Sequence, residues 1–104
     1  MAKVKKHFIY VLRLLPSLLE PGRWTQREEA IVERHFSRLT GLLSEGKLVL
    51  AGKTAGMDEK TFGIVILDVD SEDEARAIMH TDPAVSEGVM TAELYPYRIA
   101  LMRE

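Results

Sequence analysis

Histidine is the side chain whose ordinary titration falls near neutral pH, so the histidines of this chain are its first candidates for proton transfer. His35 stands apart because of its neighbours. At about 100° per residue, Ile31, Leu42, His35, Leu39, Val32, Leu43 and Phe36 fall on one stripe of a helix, in that angular order. A histidine inside an apolar stripe is either a packed residue with a satisfied polar contact or a base held out of water, and a partner decides between them. Asp82 is the candidate partner. A carboxylate beside an imidazole orients the ring and favours its protonated form. Asp82-Pro83 also fits an ordinary helix start, an N-cap aspartate followed by a first-turn proline, so both readings of both residues stay open. Arg38, one helical turn beyond His35 and at the edge of the stripe, is a candidate for binding a carboxylate or enolate oxygen of a substrate. A solvated surface charge is its alternative.

Other motifs carry less. His7, His35 and His80 fall on different predicted elements, with no His-x-His and no His-Glu-x-x-His spacing, so neither a metal nor a cofactor is expected. Gly52-Lys53-Thr54 invites a phosphate-loop reading. That motif needs a glycine five residues before its Gly-Lys pair and a helix after it; here Gly46 is one residue too far upstream and Lys47 to Ala51 is strand-like. Lys60-Thr61-Phe62-Gly63-Ile64-Val65 partly matches the third-strand motif of RNA-recognition modules, and Ile9-Tyr10-Val11 puts an aromatic on the first strand. However, Ile64 stands where the motif needs a second flat ring for base stacking.

The chain has 104 residues, 46% of them apolar and 29% charged, which is the length and composition of one soluble globular domain, 1–104. It has no cysteine, which excludes a disulfide scaffold, thiol catalysis and cysteine metal sites. Its formal net charge of −2 is the wrong sign for a protein that works on phosphate backbones, so no nucleic-acid partner is expected. Lys3, Lys5 and Lys6 before the apolar run His7 to Leu15 superficially resemble a secretory signal. Arg13 interrupts that run, Pro16 follows it, and it is too short to span a membrane. The expectation is a cytoplasmic protein with no membrane contact.

The elements that must position these residues read strand, helix, strand, strand, helix, strand. The first strand covers about His7 to Leu15, with Phe8, Tyr10, Leu12 and Leu14 on one face. The first helix covers about Gln26 to Glu45, opened by a Thr25–Glu28 capping box and closed at Gly46. Lys47 to Ala51 and Thr61 to Val69 follow as strands. A second helix starts at Ser71 with a Ser71–Glu74 capping box and breaks near Thr81, and a last strand begins near Val89, with Pro96 marking an edge. The fold class is therefore α+β, a ferredoxin-like βαββαβ chain with an antiparallel sheet. The third strand is apolar on both faces: Phe62, Ile64 and Ile66 on one, Val65, Leu67 and Val69 on the other. Two helices cover only one face of so small a sheet, and a second copy of the chain is expected to cover the other. The two helices lie side by side, which brings the end of the second, with Asp82, towards His35 on the first.

The residues so placed also carry a resemblance. Arg34-His35-Phe36-Ser37-Arg38-Leu39, Glu45-Gly46-Lys47-Leu48 and Ala51-Gly52, followed by Ser71-Glu72-Asp73-Glu74-Ala75, Asp82-Pro83-Ala84-Val85, Gly88-Val89 and Pro96-Tyr97, resemble in order the YciI-like, YCII-related proteins. The resemblance covers nearly the whole chain. It implies a dimeric α+β barrel of two face-to-face sheets and an active site with a His–Asp pair at His35 and Asp82. By the same resemblance, some relatives act as dehydrochlorinases or lactone isomerases on small ring compounds. The segment Ser17 to Trp24 is long for the family and is expected to shape any pocket.

The function expected from these residues is a small-molecule enzyme, with His35 and Asp82 as a general acid/base pair for elimination, isomerisation or hydrolysis. A non-catalytic ligand-binding or interaction module of the same dimeric fold is the alternative, and single-stranded RNA binding a more remote one.

Overall fold

The computed structural model describes residues 6–103, so Lys3 and Lys5 of the basic N-terminal run lie outside the described residues. In chain order the elements are β1 (Lys6–Leu14), α1 (Gln26–Ser44), β2 (Leu48–Lys53), β3 (Gly63–Val69), α2 (Glu72–Thr81), α3 (Pro83–Ser86) and β4 (Met90–Tyr97). The sheet order is β2-β3-β1-β4, with every neighbouring pair antiparallel. This is the ferredoxin-like α+β arrangement the element order predicts. Pro96 falls on β4, an edge strand, where proline is tolerated.

Side-chain alternation divides the sheet. Phe8, Tyr10 and Leu12 of β1 and Val65, Leu67 and Val69 of β3 face the helices and are buried with Leu39, Leu42, Ala75, Ile78 and Met79 in one core. Leu48 joins that core from β2, and a register irregularity between Leu48 and Leu50 then turns the rest of the strand over. Leu48 lies opposite Leu67, but Leu50 lies opposite Ile66 and Ala51 opposite Val65. Leu50 therefore faces outward and Ala51 faces in. The outward face carries Ile9, Val11, Ile64, Ile66, Leu50 and Tyr95, and among the described residues both long helices lie on the opposite face.

The ends of α1 form as their residues dictate. The Thr25 side chain accepts the first-turn amides and the Glu28 side chain answers to the Thr25 N–H at 2.9 Å, a complete capping box. At the other end Gly46 adopts φ +76, which lets its N–H reach the Leu43 carbonyl and the Lys47 N–H reach that of Leu42. The buried stripe is narrower than periodicity predicts. Ile31, His35, Leu39 and Leu42 are buried, whereas Phe36 is 70% and Leu43 57% exposed. Phe36 borders an open cavity rather than packed chain. On α2, Ser71 accepts from the Glu74 N–H at 3.1 Å, but Glu74 reaches back to the Asp70 N–H rather than to that of Ser71, so the second capping box is one residue out of register.

Between β1 and α1, the segment starting at Pro16 winds into two short 3₁₀ turns, Pro16–Leu19 and Pro21–Arg23. The Trp24 indole N–H donates to the Leu18 carbonyl at 2.8 Å, and Leu18 packs with Ile31 and Val89 in a second small core. Residues 98–103 follow β4 without regular structure. Among the described residues, no helix is long and apolar enough to cross a membrane.

Candidate active site

His35 lies midway along α1 on its buried stripe, and Asp82 lies at the sharp junction between α2 and α3. The structure brings them into contact: His35 Nδ1 is 2.7 Å from Oδ1 and 2.9 Å from Oδ2 of Asp82. Asp82 is fully buried and His35 is 8% exposed. The carboxylate that contacts His35 also caps α3. Its Oδ1 accepts the Ala84 N–H at 3.0 Å, and Pro83 opens that helix.

A third side chain completes the cluster. The Tyr10 hydroxyl donates to Asp82 Oδ2 at 2.7 Å from the centre of β1. Burial, reinforced by the negative charge and hydrogen bond of Asp82 and opposed by Arg38, pushes the Tyr10 phenol well above the usual tyrosine range, so it remains a donor. Sequence patterning places Tyr10 among core residues without assigning it a polar partner. The available signal was chemical: a phenol between Phe8 and Leu12 on an apolar stripe needs a hydrogen-bond partner when buried. The same burial closes Tyr10 to base stacking, so the β1 aromatic of the RNA-recognition reading faces the wrong layer.

A carboxylate is acceptor-only, and this one receives three donors: Tyr10 O–H, Ala84 N–H and the His35 ring. A neutral His35 must therefore carry its proton on Nδ1, which leaves a lone pair on Nε2. Nε2 forms no hydrogen bond among the described residues.

Arginines on α1 hold the Asp82 segment in place. Arg34, just before His35, makes a two-pronged contact with the Glu87 carboxylate after α3, one arm at 3.0 Å. Arg27 adds a bond to the Glu87 carbonyl at 3.0 Å. Arg38 donates to the Thr81 carbonyl at 3.0 Å and to its hydroxyl at 2.7 Å, gripping the residue next to Asp82. The guanidinium of Arg38 is thus bound to the end of α2, and Arg38 is not among the residues lining the main cavity.

His35 borders that cavity, which has a volume of about 530 Å³. Its origin is a missing corner of the sheet. β3 begins at Gly63, opposite Leu12, whereas β1 continues for two more residues beside β4 alone. The space beyond Gly63 is enclosed by α1, by Pro16, Leu19 and Trp24 of the 3₁₀ segment, and by the hairpin between β2 and β3. Of the Ser17 to Trp24 segment, Leu19 and Trp24 line the cavity. Lys53, part of the Gly52-Lys53-Thr54 sequence, donates to the Thr54 and Gly56 carbonyls at 3.1 Å and staples its own hairpin. β3, not a helix, follows it, so the phosphate-loop geometry is missing.

A family model described as the YCII-related domain matches residues 11–97. A search of curated proteins finds no match. Among solved structures, the chain is similar to 5-chloro-2-hydroxyhydroquinone dehydrochlorinase (TftG) from Burkholderia phenoliruptrix AC1100, determined in complex with 2,5-dihydroxybenzoquinone. The TM-score is 0.66 at 21% identity, covering 88% of this chain and 93% of that one. At that identity the likeness concerns the fold.

Proposed function

The chain belongs to the YCII-related domain family, and on that premise we propose that it is a small-molecule enzyme in which His35 moves a proton on a compound held in the cavity. One observation carries this reading: the ring that borders the cavity is fixed through Nδ1 by a buried carboxylate, which leaves Nε2 to act. Nε2 takes a proton from a substrate carbon, oxygen or bound water, and the imidazolium so formed is balanced by Asp82. The proton then passes to a leaving group or to a second atom of the substrate. Elimination, isomerisation and hydrolysis all follow this sequence. Asp82 sets the ring's tautomer and angle, Tyr10 and the Ala84 N–H hold Asp82, and Arg38 acts as a positioning residue through Thr81. The fold likeness to a dehydrochlorinase crystallised with a small ring compound supports the reading.

The working form in this proposal is a homodimer. The outward face of the sheet is apolar along Ile9, Val11, Ile64 and Ile66, and Asp68 on that face has a buried Oδ1 with no hydrogen bond among the described residues and only the His7 ring facing it, at 3.8 Å. A second copy facing it would cover those side chains and supply donors. Light scattering is expected to give twice the chain mass; a stable monomer at micromolar concentration removes the dimer.

The catalytic reading is tested by screening small ring compounds for turnover by the parent and by His35→Ala. The variant is expected to keep its fold and lose about 10²–10⁴-fold in rate. Equal turnover by the two proteins refutes the assignment of His35.

A further inference from the structure

The cavity wall holds one cation with no assigned task. Arg13, near the end of β1, alternates with Leu12 and Leu14 onto the outward face at the cavity rim; it forms no hydrogen bond or ion pair among the described residues, and its charge acts on Tyr95 of β4, whose hydroxyl donates to Glu93 at 2.8 Å. This separates it from the other two basic side chains discussed around the site. Lys53 is bound to its own hairpin, and Arg38 to Thr81. The acidic side chains on the same wall, Asp58 and Glu59, form no ion pair with Arg13, and Asp58 accepts the Lys60 N–H at 2.9 Å.

Arg13 is nevertheless oriented. Its guanidinium carbon sits over the Phe62 ring, 5.3 Å from the centroid. The guanidinium is a planar fork of N–H groups that fits a carboxylate with two parallel bonds. Phe62 lines the same cavity, together with Trp24 and Phe36. The surroundings therefore combine flat apolar surfaces with one held cation. A ligand that satisfies both has a planar ring and an anionic oxygen group.

We propose that Arg13 is the anion-binding residue of the cavity, and that the compounds bound there are small planar rings bearing a carboxylate or a similarly acidic oxygen. The inference rests on the reading that the cavity takes a small molecule, and it moves substrate recognition from Arg38 to Arg13. His35 and Arg13 then divide the work: one handles the proton, the other fixes the charged end.

The test uses benzoate and benzamide, which share a ring and a shape and differ in charge, titrated against the full chain at low salt. Binding is followed through the Trp24 indole N–H signal by NMR. Benzoate is expected to bind about tenfold or more tightly than benzamide, as one charge-assisted contact implies. Arg13→Gln is expected to weaken benzoate to the level of benzamide and leave benzamide unchanged. Arg13→Lys, which keeps the charge without the planar fork, should fall between. Arg38→Gln and His35→Ala are expected to retain the benzoate preference. The proposal is overturned if the parent shows no preference, if neither probe moves the Trp24 signal at millimolar concentration, or if Arg13→Gln keeps the preference. Since binding is read without turnover, active His35→Ala with an intact benzoate preference would overturn the proton-transfer reading and leave Arg13 standing.

Discussion

The imidazole of His35 and the carboxylate of Asp82 meet at 2.7 Å across 47 residues of chain. Their contact is set by more than proximity. The same residue ends α2 through its backbone N–H to the Met79 carbonyl, while its carboxylate starts α3 and receives the Tyr10 hydroxyl from the sheet, so three elements converge on one residue.

Removing the phenol tests that convergence most gently. Tyr10→Phe keeps the ring in its core position and deletes one donor to a buried carboxylate. The expected cost is about 1–3 kcal/mol, read from the urea midpoint. A midpoint equal to that of the parent would mean that the Tyr10–Asp82 bond contributes nothing net.

Two substitutions at Asp82 separate fold from chemistry. Asp82→Ala strands the His35 ring, the Tyr10 hydroxyl and the Ala84 N–H together, and is expected to cost about 3–5 kcal/mol. Asp82→Asn retains an oxygen to cap α3 but presents an amide donor that favours a neutral imidazole with its proton on Nε2. It should fold, and its turnover should fall by about 10²–10⁴-fold. Full activity in a folded Asp82→Asn protein would show that the ring's tautomer does not matter.

Alkaline titration addresses Tyr10 from another side. Its phenol is raised by burial first and by Asp82 second. A group raised on folding stabilises the fold below its ordinary value of 10.0, and that contribution is lost as pH rises above it towards the folded value. The phenolate absorbance of Tyr10 should therefore appear only with unfolding, and the stability gap between parent and Tyr10→Phe should narrow above about pH 10. Reversible ionisation of all three tyrosines in the folded protein would contradict this.

Acid titration makes the opposite prediction for Glu28. The side-chain and backbone bonds from Thr25, with a smaller pull from Arg27, hold its carboxyl down at about 2 against an ordinary 4.5. A lowered carboxyl stabilises the fold above its ordinary value and loses that contribution as pH falls to the folded one. The stability gap between parent and Glu28→Gln should close between about pH 5 and pH 2, measured by denaturant midpoints. A gap constant over that range would mean that the capping box does not favour the ionised form.

Features encoded by nearby residues were legible in the sequence, and those set by long-range register were not. The α1 capping box, the Gly46 terminus, the alternation of β1 and the split element order follow from spacings of a few residues. His35 and Asp82 were legible because each breaks a local pattern, a polar group in an apolar stripe and a cap before proline. The bonds of Arg34 to Glu87 and of Arg38 to Thr81 join residues 53 and 43 positions apart, and their partners depend on how α1 lies against α2 and α3. The cavity was hidden for the same reason. It exists because β3 starts two residues short of the end of β1, and periodicity does not specify relative strand ends. Helical angle alone puts Phe36 and Leu43 on the apolar stripe and does not reveal where the opposing layer stops.

The extra residue accommodated in β2 also determines how much room lies beneath α1. If Val49 instead took a regular place opposite Ile66 and the pairing ran straight through, position 50 would move into the place of Ala51 opposite Val65, and an isobutyl group would intrude where a methyl now leaves a hollow. The irregularity between Leu48 and Leu50 thus acts as a spacer: it keeps bulk on the outer surface and vacant volume within reach of the imidazole.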